Sequence, residues 1–143
     1  MTPAIHDEIA APLQYGYTFP TQVLTQVPVV PLTTQVWQEY ERLWTLRSSL
    51  GKGELEAIAF CTVEGALFVT NDTVAQKFAR GHGVQVITLQ ALLRGLWLSG
   101  TQSKTEVRTL LECIKEADAL EVPPEVEAEI FGSSDEEEPG SHP

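Results

Sequence analysis

The sequence predicts one α/β domain, and three observations carry that reading. Two short apolar runs, Ala66–Thr70 and Val84–Ile87, flank a single short helical pattern. Strand, short helix, strand implies a parallel pair joined by a crossover. Most of the remaining chain carries apolar residues at helical spacing. The length of 143 residues, with 43% hydrophobic and 20% charged, suits one domain with a sizeable core. The domain is expected to cover 1–131, with 132–143 a disordered acidic tail.

Residues 4–11 read as a short helix, with Pro3 suited to its first turn. Pro12, Gly16 and Pro20 make 12–26 loop-like. Val27–Leu32 resembles a short strand whose two prolines would confine it to an edge or to strand termini. Thr33 or Thr34 can cap the next helix. Val36, Trp37, Tyr40, Leu43 and Trp44 would form its apolar, core-facing side. After a turn at Ser48–Gly53, a helix is expected over Glu54–Glu64, with Gly65 placed to end it.

The run Ala66–Thr70 suits a strand buried on both faces. Asn71 or Asp72 then caps a helix through Arg80. Gly81-His82-Gly83 breaks that helix before the strand Val84–Ile87. Thr88 caps a helix to Ser99, with Leu92, Leu93, Leu96 and Trp97 inward. Ser103 and Glu106 have capping-box spacing for a helix from Lys104 to about Ala119. Pro123-Pro124 opens a last helix ending at Ile130. The chain from Gly132 onward has little to bury.

The net charge of −11 argues against a broad basic face for duplex binding. No apolar run reaches the roughly 18 residues of a membrane span. The N-terminus has neither a basic region nor an apolar signal core. The two cysteines, Cys61 and Cys113, read as buried, reduced thiols, without partners at metal-ligand spacing. Together these features predict a cytoplasmic protein.

The acids around the first strand are the strongest chemical signal. The Glu54–Glu64 helix would span roughly 16 Å, and the following strand would return along it. That puts Glu54, Glu56 and Asp72 at the C-terminal edge of the sheet, where open α/β folds hold ligands. Glu54 shares a face with Ala57, Ile58 and Cys61, so Glu54 is expected inward and Glu56 outward. Each acid also has a purely structural explanation. Glutamate in a first helical turn suits the macrodipole, and Asp72 is a good N-cap.

The block Gly53-Glu54-Leu55-Glu56-Ala57-Ile58-Ala59, then Gly65, then Leu67-Phe68-Val69-Thr70-Asn71-Asp72 resembles the C-terminal half of PIN-domain nucleases. The later Gly-Val-Gln-Val-Ile-Thr-Leu and the opening Pro-Ala-Ile-His-Asp-Glu-Ile extend the resemblance over most of 3–131. It implies a three-layer α/β/α sandwich with a mainly parallel sheet. It implies a ribonuclease using Mg²⁺ or Mn²⁺, of a kind often paired as a toxin with an antitoxin. Glu8, Glu54 and Asp72 would be the catalytic acids, with Glu54 and Asp72 as metal ligands and Thr70 and Asn71 lining the site. Hard cations take carboxylate oxygens, and metal-held water attacks phosphodiesters.

The sequence departs from that family at its start. No apolar strand ending in Asp precedes Thr2-Pro3, so a central strand and one metal ligand are missing. This predicts either a start upstream of Met1 or a relative with lost or altered activity. In the second case the chain would be a non-catalytic interaction module. A missing strand would expose a sheet edge to a protein partner or a second copy.

Lys77 and Arg80 are three apart on one helix, so they share a face that could meet RNA phosphates or simply solvent. His82 between glycines lacks a Ser or Cys nucleophile nearby and reads as a loop residue. Gly51-Lys52-Gly53 lacks the preceding strand and the Lys-Ser/Thr of a phosphate loop, and a turn with a helix start explains it.

Overall fold

A computed structural model describes residues 1–47, 49–119 and 121–132. Its order is α1 (Pro3–Ala10), a 3₁₀ turn (Ala11–Tyr15), α2 (Phe19–Gln26), α3 (Thr34–Leu46), α4 (Lys52–Glu64), β1 (Phe68–Val69), α5 (Thr73–Gly81), β2 (Val86–Ile87), α6 (Leu89–Leu98), α7 (Lys104–Asp118) and α8 (Pro124–Phe131). The expected α/β/α sandwich is not what forms. The described residues are mostly helical, and their sheet is one parallel pair, β1 beside β2. Strands of two residues each cannot make a layer that helices cover on both sides.

The reason is visible at Val27–Leu32. That run is not a strand. Pro28 and Pro31 supply no N–H donors, and the segment is hydrogen-bonded to the chain start. Val30 N donates to Met1 O at 2.8 Å, and the Met1 amino group donates to Pro28 O at 2.6 Å. The loop expected over 12–26 also holds a helix. Pro20 sits in the first turn of α2, where its missing N–H costs nothing.

The chain forms two compact units, one over Met1–Val86 and one beginning at Ile87. In the first, α4 takes the central place. Leu55, Ile58 and Ala59 are fully buried, and Glu56, Ala57 and Cys61 nearly so, so this helix is enclosed almost all round. α1, α3 and β1 pack against it. It ends at Gly65, whose φ of 66° closes the helix in a conformation glycine adopts without strain. Burial pushes the Cys61 thiol up from its ordinary pKa. Cys113, expected inside, is exposed.

α3 starts at Thr33, whose Oγ1 accepts from Val36 N at 3.3 Å. Val36 and Leu43, seven apart, form its buried stripe. Trp37 and Trp44 sit one position further round, and each is 44% exposed rather than in the core. Their rings instead pack on half-buried Tyr40, with centroids 5.4 and 6.1 Å away. β1 departs from expectation too. Phe68 is buried, but Leu67 and Val69 face outward, because helices cover only one side of so small a sheet.

In the second unit Trp97, Leu93, Val107, Leu111, Ile130 and Phe131 form a separate core. Leu92, expected inward, is exposed. The Ser103–Glu106 capping box forms as the spacing predicts, with bonds of 3.1 and 2.7 Å. No helix among the described residues is long and apolar enough to cross a membrane. The acidic stretch from Ser133 onward, expected to be a disordered tail, lies outside the described residues.

Candidate functional site

The acids of the first unit occupy helix starts, each for a local reason. Glu54 stands in the first turn of α4, and its Oε2 accepts from Gly51 N at 3.1 Å. That is the glutamate half of a capping box, and the positive end of the helix favours the carboxylate. Asp72 caps α5, its Oδ1 accepting from Ala75 N at 2.7 Å. Thr70 Oγ1 accepts from Asp72 N at 3.2 Å, and Gln76 Nε2 donates to Thr70 O at 3.0 Å. Thr70, exposed Asn71 and Asp72 therefore form a tight turn joining β1 to α5.

Glu54 and Glu56 exchange the places their helical face suggests. Glu56 is the inward residue, only 2% exposed. Its Oε1 accepts from Ala4 N at 2.7 Å, in the first turn of α1, so it satisfies a helix-start donor 52 residues away in sequence. Thr2 is also buried, with a hydroxyl that has no partner among the described residues. Glu54 is only half-buried, at the margin of α4.

Glu8 comes to the same end of α4. Its carboxylate rests against Gly53, so close that a Cβ at that position would lie 2.6 Å from Glu8 Oε1. The absence of a side chain at Gly53 is what lets α1 lay Glu8 against the first turn of α4. Two carboxylates thus meet the first turn of α4, while Asp72 is anchored at the start of α5. No group of three His, Cys, Asp or Glu side chains among the described residues is placed to hold a metal ion. The two carboxylates do not make a closed cage.

Lys77 is exposed on α5 and lines a cavity of about 650 Å³ with Arg80, Thr73 and Gln76. Arg47, at the end of α3, lines the same cavity. Sequence spacing pairs Lys77 with Arg80 but gives no sign of Arg47, which lies thirty positions earlier in a different helix end.

Comparison with protein-family models, with characterised proteins and with solved structures finds no match.

Asp72→Asn is expected to leave the melting temperature nearly unchanged, because Asn caps a helix as well as Asp. Asp72→Ala should cost about 1 kcal/mol, the usual loss for an emptied N-cap. Thermal unfolding followed by circular dichroism separates the two. A large loss in the Asn variant would show that the carboxylate does more than cap.

Proposed function

We propose that this chain is a PIN-like, divalent-metal-dependent ribonuclease relative that acts on RNA phosphodiesters in the cytoplasm. Glu8 and Glu54 are the acids that would hold Mg²⁺ or Mn²⁺, with Asp72, Thr70 and Asn71 at the turn after β1. The observation that carries this reading is the approach of the Glu8 carboxylate to Gly53, beside Glu54 at the start of α4. Mg²⁺ keeps several waters and takes one or two carboxylates plus substrate phosphates, so an open pair of acids is the right donor set for it. The bound cation would supply an activated water and neutralise developing phosphate charge. Glu54 and Glu8 would hold the cation at the positive end of α4, and the Asp72 cap holds the turn after β1 in shape. Two free thiols agree with a reducing compartment.

The test is cleavage of single-stranded RNA with Mg²⁺ or Mn²⁺, comparing the natural chain with Glu54→Gln. Metal-dependent cleavage should fall roughly 100-fold, since even indirect changes around metal ligands cost about 10–100-fold. Equal rates in the two proteins would remove Glu54 from the chemistry.

One observation favours a second reading, a non-catalytic module that binds an antitoxin-type protein or a second copy. Leu67 and Val69 are 54% and 45% exposed, and among the described residues β1 has only β2 beside it. An apolar strand with a free edge can take up a further strand. A natural chain without metal-dependent cleavage, but with a partner that protects the amides of β1 from exchange, would establish this reading over the first.

A further inference from the structure

The cavity between the end of α3 and the outer face of α5 gathers an unusual set of side chains for so acidic a chain. The sequence has nine Lys and Arg against twenty Asp and Glu, yet Arg47, Lys77 and Arg80 line this cavity and, among the described residues, no acid does. All three are exposed, and none makes an ion pair or side-chain hydrogen bond with another described residue. Two other cations are engaged by acids. Arg42 is held by Glu39 at 2.6 Å, and Lys115 by Glu112 and Glu127 at 3.0 Å each.

Three like charges around one hollow repel each other unless an anion joins them. The cavity adds a second source of positive potential. Thr73 and Val74 line it from the first turn of α5, the positive end of the helix dipole. Its volume of about 650 Å³ lies within the usual range for a small-molecule site. Two guanidinium groups offer paired N–H donors that match phosphate oxygens, and Lys77 adds a compact charge between them in sequence.

We propose that this cavity binds the phosphate groups of a nucleotide ligand, either a single-stranded RNA or a free nucleotide. Arg47 and Arg80 grip the phosphate oxygens, and Lys77 supplies further charge. The inference goes beyond the cleavage reading and does not depend on it. Glu54→Gln, which should lower cleavage about 100-fold, leaves this binding intact.

The experiment measures binding of a fluorescent ten-nucleotide single-stranded RNA, and of uridine monophosphate, to the full chain in EDTA. Arg47→Gln, Lys77→Gln and Arg80→Gln are compared with the natural chain over a range of salt concentrations. These are surface positions, so folding should be unaffected, which circular dichroism checks. Each substitution is expected to weaken binding several-fold. Each should also lower the slope of log affinity against log salt by about 0.7, the value for one single-strand phosphate contact. Sensitivity with the RNA alone assigns a strand as the ligand, and sensitivity with the monophosphate assigns a nucleotide. Either supports the site. Binding that all three variants retain with an unchanged salt slope overturns it, as does the absence of binding to both probes.

Discussion

Glu56→Ala is expected to destabilise the first unit by about 3 kcal/mol. Glu56 is 2% exposed, and its Oε1 accepts the Ala4 N–H at 2.7 Å. Removing it has two costs. A hydrogen bond to a carboxylate contributes about 1.5–3 kcal/mol, and its loss leaves a donor at the start of α1 unpaired. The truncation also opens a hole beside fully buried Leu55 and Ala59. For a unit of this size that corresponds to a fall of roughly 10–20 °C in melting temperature. Glu56→Gln keeps an acceptor of the same shape and should lose only about 1 kcal/mol. Calorimetry on both variants tests the assignment. An Ala variant within about 0.5 kcal/mol of the natural chain, the range of surface changes, would show that α1 is not docked through this residue.

The second large effect belongs to the other unit. Trp97 is 1% exposed, and its Nε1 donates to Ile130 O at 2.8 Å, which ties α6 to α8. Lys104 Nζ lies 4.5 Å from the centre of the Trp97 ring, over its face. Trp97→Ala should cost about 3–5 kcal/mol, enough to unfold so small a core. Hydrogen exchange is the direct readout. Amides of α6, α7 and α8 should lose protection, while those around Leu55 and Ile58 in α4 keep theirs. Trp97→Phe, which retains most of the packing but not the N–H donor, should fall between. Uniform loss of protection over both units would contradict separate cores.

Helix boundaries were the most legible part of this fold, because they are set by local chemistry. Thr33, Asp72, Thr88 and Ser103 each accept from a backbone N–H three residues on, and Gly65 closes α4. The layer architecture was not legible, because it depends on how many strands pair. Apolar runs predict strand character, but only β1 and β2 find each other, and the proline-bearing run at Val27–Leu32 cannot join them. The inward face of α4 was misread for the same reason. With a sheet behind it, Glu54 would face the core, whereas α1 supplies the actual neighbour and needs an acceptor at Glu56. Juxtapositions such as Glu8 against Gly53, or Arg47 and Lys77 around one cavity, join segments 30 or more positions apart and leave no trace in local spacing.

The candidate site shows the same division. Glu8 and Glu54 were identified through motif resemblance, and chain geometry brings them to one helix start. Asp72 lies where the motif puts it, in the turn after β1, but its side chain is committed to a cap. The chemistry assigned to these acids therefore rests on the Glu8–Glu54 pair acting together on one cation.

The most direct test is the Mn²⁺ dependence of single-stranded RNA cleavage in the natural chain, Glu8→Gln, Glu54→Gln and the double variant. If the two acids share one cation, each single variant loses most of the activity and the double loses little more, because residues acting as a unit are strongly non-additive. Independent, multiplicative losses would contradict a shared site, and so would cleavage unaffected by both substitutions.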